Sequence, residues 1–228
     1  MIRARLVHLA VAGLLGISVG ACGGTAGGAS GATASPQASA VPAGTYTSKA
    51  FKPAITLTLP DGWAIPSDQS DYYAVIPAGS DIVGINFFRD PKPASQDASC
   101  PLTAQEGVAA TDSLSMLTWI RSLKGLSSSN PRIVTIGGLH GSEIDASIAP
   151  GWKTSCSFAN GLPTVSLFVG ASGTLRWTIF GSERLRLDIL DAPGGGIVVV
   201  DQDSSDGSLF DQFLSTARPI MTTLKLGS

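Results

Sequence analysis

The sequence is poor in charge, poor in histidine and nearly free of cysteine, and each shortage excludes a class of function. Only 14% of its 228 residues are Asp, Glu, Lys or Arg, and no Lys/Arg cluster stands out, so a nucleic-acid reader is excluded. It has two histidines, His8 and His140, too few for a multi-His zinc site or an HExxH helix. Its three cysteines, Cys22, Cys100 and Cys156, contain no CxxC spacing. No G-x-S-x-G elbow occurs; Gly170-Ala171-Ser172-Gly173-Thr174 fails at its last position. Gly194-Gly195-Gly196 precedes a strand pattern, whereas a phosphate-cradling loop must precede a helix. No motif calls for a cofactor. The apolar run Leu6–Val19 is too short to remain as a spanning helix.

That run has a basic start at Arg3 and Arg5 and ends in small residues before a cysteine, the layout of a cleaved export signal. Val19-Gly20-Ala21-Cys22 resembles the lipobox of bacterial lipoproteins. The resemblance implies cleavage after Ala21 and a diacylglycerol on the Cys22 thiol. The chain is then held on the extracytoplasmic face of the plasma membrane. An ordinary secretory signal with a chance cysteine is the alternative. Cleavage removes two of the 15 basic residues and none of the 17 acids, so the net charge moves from −2 to −4. Outside the cytoplasm Cys100 and Cys156 are expected to form a disulfide, with two free buried thiols as the alternative.

Residues 22–49 are Gly, Ala, Ser, Thr and Pro with almost no charge. They are expected to be a disordered tether with a typical end-to-end distance of about 28 Å. Residues 50–228 are expected to form one α+β domain. Ile55–Leu59 alternates strictly, and Tyr72–Ile76 and Ile82–Arg89 are further strands, the last with Val83, Ile85 and Phe87 on one side. Pro91–Thr111 reads as a loop pinned by Cys100. Asp112 caps a helix over Ser113–Leu123, with Met116, Trp119, Ile120 and Leu123 on one face and Leu114 and Leu117 off it. Ile133–Ile136, Leu139–Ile148, Thr164–Val169, Thr174–Phe180, Arg184–Leu190 and Ile197–Val200 read as strands of an antiparallel meander. A last helix starts at Ser208-Leu209-Phe210-Asp211 and runs through Pro219, which lies opposite its apolar arc.

The Leu59-Pro60-Asp61-Gly62-Trp63 strand end, the meander after a middle helix, and the closing helix running into Thr222–Leu226 resemble PsbP-like domains. Among these the chain resembles in particular the LpqN-like lipoproteins of actinobacteria. It implies an α/β/α sandwich, an antiparallel sheet flanked by two or more helices, and a non-catalytic binding or assembly role. No site residue is carried over from it.

Four features are candidates for chemistry. Glu143 and Asp145 share one strand face, and Arg184, Arg186 and Asp188 share another, as cross-strand salt pairs on a solvated face or as a polar groove. His140 is the one histidine able to serve an envelope hydrolase. Asp201, Asp203 and Asp206 lie in a strand-to-helix turn with a weak likeness to a calcium loop. Trp63, Trp119, Trp152 and Trp177 are core residues or the walls of a site for a small apolar ligand. The leading expectation is a non-catalytic domain that binds an envelope protein or such a ligand.

Overall fold

The computed structural model describes residues 38–227; the leader, Cys22 and the tether up to residue 37 lie outside the described residues. In chain order the elements are β1 (Gly44–Thr47), β2 (Ile55–Leu59), β3 (Trp63–Asp68), β4 (Tyr72–Pro77), β5 (Val83–Arg89) and β6 (Lys92–Pro93). Helix α1 (Ser113–Ser122) follows, then β7 (Leu126–Ser128), β8 (Arg132–Ile136), β9 (Leu139–Ile148), β10 (Thr164–Val169) and β11 (Arg176–Phe180). The chain closes with β12 (Arg184–Asp191), β13 (Ile197–Ser204), α2 (Phe210–Thr223) and β14 (Lys225–Leu226). All strand pairs are antiparallel, and the fold is α+β.

The central sheet has eight strands in the order β3-β4-β5-β13-β12-β9-β7, with β8 also paired to β9. One face is covered by α2 and the three-stranded sheet β1-β2-β14. The other is covered by α1 and the sheet β11-β10-β6. The expected meander is therefore interrupted. β10 and β11 leave the main sheet to build an outer layer, and β12 returns beside β9. Because both faces are covered, β5 does not alternate between core and solvent: Gly84 to Phe88 are all buried. Ile85 and Phe87 point to the α2 core and Phe88 to the α1 core, where it meets Phe168 edge-on at 4.8 Å.

Both helices follow their sequence signals. Asp112 accepts from Ser115 N at 2.7 Å and Ser115 Oγ accepts in return from Asp112 N, which closes a capping box. Leu114 is exposed, but Leu117 is buried beside Met116 and Ile120, because α1 lies across β12 and β9 within the second core cluster. Helix α2 carries Pro219 on its exposed side and buries Phe210, Phe213, Ala217 and Ile220. Its start is capped by Asp206 through a 3₁₀ turn at Gly207–Leu209, two residues before the expected cap at Ser208.

The folded part begins earlier than residue 50. Val41 bridges Trp63, and β1 pairs residue for residue with β2 through Gly44–Leu59 to Thr47–Thr56. The polar Gly-Thr-Tyr-Thr segment resembles a linker in composition. It is held by backbone pairing and by Thr–Thr contacts at 2.9 and 3.0 Å. The Asp68 carboxylate then accepts from the backbone N–H groups of Lys49, Ala50 and Phe51 at 2.6, 3.1 and 3.2 Å. Burial pulls its pKa upward, but these donors and the Lys49 charge outweigh it and hold the carboxyl below its ordinary value. The stabilisation is therefore present above the unfolded value near pH 4 and is lost as pH falls through the lower folded value. Asp68→Asn is expected to cost about 1–2 kcal/mol at pH 7, a figure reduced for its partial exposure. Urea unfolding at pH 7 and at about pH 3 should show that difference shrinking in acid.

A candidate charged site on the central sheet

Register assembles the strongest concentration of chemistry. In antiparallel strands directly opposed residues share a face. The β9–β12 pairing sets Glu143 opposite Asp188 and Asp145 opposite Arg186. The β8–β9 pairing adds Arg132 opposite Glu143, and the β12–β13 pairing adds Gln202 opposite Arg186. Arg186 forms a two-pronged contact with Asp145, Nε to Oδ1 at 2.7 Å and Nη2 to Oδ2 at 3.0 Å. Its Nε also lies 3.6 Å from Glu143 Oε2. Arg132 Nε donates to Glu143 Oε1 at 2.9 Å. The face is not solvated as the sequence suggested. The side chains of Glu143 and Asp145 are 13% and 29% exposed, and Asp188 is fully buried.

Asp188 is the unusual member. Burial pushes its pKa well above the ordinary carboxylate range, the Glu143 charge pushes the same way, and Arg186 only partly offsets them. As a carboxylate, Asp188 would hold Oδ1 without a hydrogen-bond partner, while Oδ2 accepts from Gln202 Nε2 at 3.2 Å. As a neutral acid it donates toward Glu143. This raised value stabilises the fold below the unfolded pKa near 4, and the contribution is lost as pH rises through the folded value. Asp188→Asn keeps the shape and both hydrogen bonds but cannot ionise. Its pH–stability curve should coincide with the parent's near pH 4 and lie above it at higher pH. Parallel curves across that range would remove the shared proton from the account.

The cluster supplies directed, mutually satisfied charge. Arg186 binds Asp145 and Glu143, Arg132 binds Glu143, and Arg184 at the same end reaches Asp211 at 3.2 Å and stacks over Phe210 at 4.4 Å. Such an arrangement fixes its side chains in place through their own ion pairs. It places no nucleophile beside a base. Arg132 and Gln202 were missed by sequence reasoning; Arg132 is visible as a cation at the start of a strand pattern, whereas Gln202 was hidden in a stretch that reads as a turn.

The other sequence candidates fall elsewhere. His140 is exposed on β9 and its Nδ1 is 2.8 Å from Thr135 Oγ1 on β8. Asp201 and Asp203 are not in a turn: β13 continues to Ser204, both carboxylates are fully buried, and Asn86 Nδ2 donates to them at 3.3 and 3.1 Å. They face the α1 core, on the opposite face from Asp188, whereas Asp206 caps the turn into α2. Among the described residues no group of three or more His, Cys, Asp or Glu is placed to hold a metal ion. Cys100 and Cys156 are joined by a disulfide. Trp63 is buried in the α2 core, and Trp119, Trp152 and Trp177 pack against the α1 core. Trp119 and Trp152 donate their indole N–H groups to Leu167 O and Thr164 O, both at 2.9 Å.

No family model matches the chain, and no curated protein matches it. Among solved structures it is similar to the solution structure of cyanobacterial PsbP (CyanoP) from Synechocystis, at 9% identity and a TM-score of 0.41. The match covers 90% of this chain and 97% of that one. A likeness of this size carries no residue and no role across.

Proposed function

We propose that the chain is a non-catalytic binding or assembly domain, lipid-anchored through Cys22 on the extracytoplasmic face of the plasma membrane. The observation that carries this reading is the placement of Cys22 directly after a basic, then apolar, then small-residue leader. The other two cysteines are joined to each other, so Cys22 is the thiol left for acylation. A disulfide is also what an oxidising compartment permits. The non-catalytic part is supported by the charged cluster, whose members are paired with one another. The envelope partner is expected to meet the exposed end of this cluster at Arg132, whose side chain is 61% exposed.

Cell fractionation and protease shaving test the placement. The parent chain is expected in the membrane fraction and should be digested on intact cells. Cys22→Ser should leave the membrane fraction or accumulate unprocessed. A protein protected until lysis would overturn the location.

A further inference from the structure

One end of the molecule holds an open cleft of about 310 Å³ that the charged cluster does not touch. Its walls are Lys52, Pro53 and Ala54 from the segment before β2, Arg89 at the end of β5, Pro193 in the β12–β13 turn, and Gly227 after β14. The volume is at the lower end for small-molecule sites. Two of its six wall residues are cations and none is an acid.

Arg89 is fixed there on two sides. Its Nε contacts Asp90 Oδ2 at 3.0 Å and its Nη2 donates to Gly195 O at 2.9 Å. Asp90 is itself held in the left-handed region at φ 46°, and its Oδ1 accepts from Ile197 N at 2.8 Å. The Gly194–Gly196 turn that closes on the arginine has φ of 79°, 99° and 79°, and a Cβ on Gly196 would fall 2.1 Å from Asp90 Oδ1. The guanidinium is thus pre-oriented, but its Nη1 is buried without a hydrogen-bond partner. A buried donor left unsatisfied is costly, more so on a charged group. Lys52 is exposed, and no ion pair among the described residues engages it.

From the cleft, the paired cations and the unsatisfied guanidinium N–H, we infer that this is a binding site for a small organic anion. The ligand carries a phosphate or carboxylate head on a short apolar body. The head lies between Lys52 and Arg89, and the body against Pro53, Ala54 and Pro193. An anion drawn in by Lys52 replaces Gly195 O as the acceptor of the Arg89 fork, and the guanidinium, still held by Asp90, turns so that Nη1 gains the partner it lacks. This gives the binding reading a ligand chemistry and rests on that reading alone; acylation of Cys22 does not enter it.

The test is a titration of the full chain in nonionic detergent with phenyl phosphate, followed by calorimetry. One saturable site is expected. Lys52→Glu should weaken it by about tenfold or more, and Lys124→Glu, outside the cleft, should leave it unchanged. Benzyl alcohol, with the ring but no charge, should not bind. Repeating the titration in nanodiscs distinguishes the sources of the head. A lower apparent affinity in phosphatidylglycerol than in phosphatidylcholine assigns it to a lipid, and equal affinities assign it to a soluble anion. Absence of binding, or equal affinity in the parent and Lys52→Glu, overturns the site and leaves the anchor and the location standing.

Discussion

Replacing Cys100 and Cys156 together by serine is expected to lower the stability of the domain by about 4 kcal/mol. The bridge spans a sequence separation of 56 residues, and closing a loop of that size removes about this much free energy from the unfolded ensemble on the chain-entropy model. Its local setting points the same way. Between β6 and α1 the chain from residue 94 to 112 contains no helix and no extended strand, only an Ala94–Ala104 bridge. Cys156, by contrast, is buried and tied to β10, its N–H donating to Thr164 Oγ1 at 2.9 Å. The disulfide therefore moors a weakly structured segment to a sheet. For a domain of this size the melting temperature should fall by roughly 8–16 °C. Hydrogen exchange should accelerate first around residues 94–112. A loss below about 1 kcal/mol would show that contacts such as Arg176 Nη2 to Cys100 O already hold the loop without the bridge.

Arg186→Met is the second substitution with a large expected effect, a loss of about 2–3 kcal/mol. Breaking a fully buried ion pair costs about 3–5 kcal/mol and an exposed one under about 1. Arg186 is 22% exposed, so it falls between those limits. The loss comes less from a missing contact than from what remains: Asp145 without its two-pronged partner, and Glu143 beside Asp188 with only Arg132 to balance them. Asp145→Asn in the same chain should restore part of the loss, so that the double variant is more stable than the two single effects sum to. Arg186→Lys should recover charge but not the fork, and so only part of the stability. Strict additivity of the two single variants in urea unfolding would mean that the cluster is a set of independent surface charges.

Much of the architecture was legible, for a physical reason. Helix α2 shows its apolar arc at the helical period, and Pro219 falls where a missing N–H faces water. Asp112 caps α1 because a short acceptor stands one residue before the apolar stripe. What escaped is set by partners distant in sequence. Asp201 and Asp203 read as turn residues because their composition is polar. Their burial depends on Asn86, more than a hundred residues earlier, which supplies donors inside a sheet covered on both faces. β1 escaped because Gly-Thr-Tyr-Thr has linker composition and gains its structure only against β2.

The candidate site was half legible. Strand alternation gave Glu143 with Asp145 and Arg186 with Asp188. It could not give the register that opposes Glu143 to Asp188, or the depth of burial that pushes the Asp188 carboxyl above its ordinary value. The cleft at Lys52 and Arg89 had no sequence signature, since its walls come from four separate segments.

The central claim concerns a single sulfur atom, and mass spectrometry of the mature N-terminal peptide, purified from the organism's membranes, addresses it directly. The account predicts a peptide that begins at Cys22 and carries the mass of a thioether-linked diacylglycerol. A mature chain that begins at another residue, or at Cys22 with a free thiol, would contradict it.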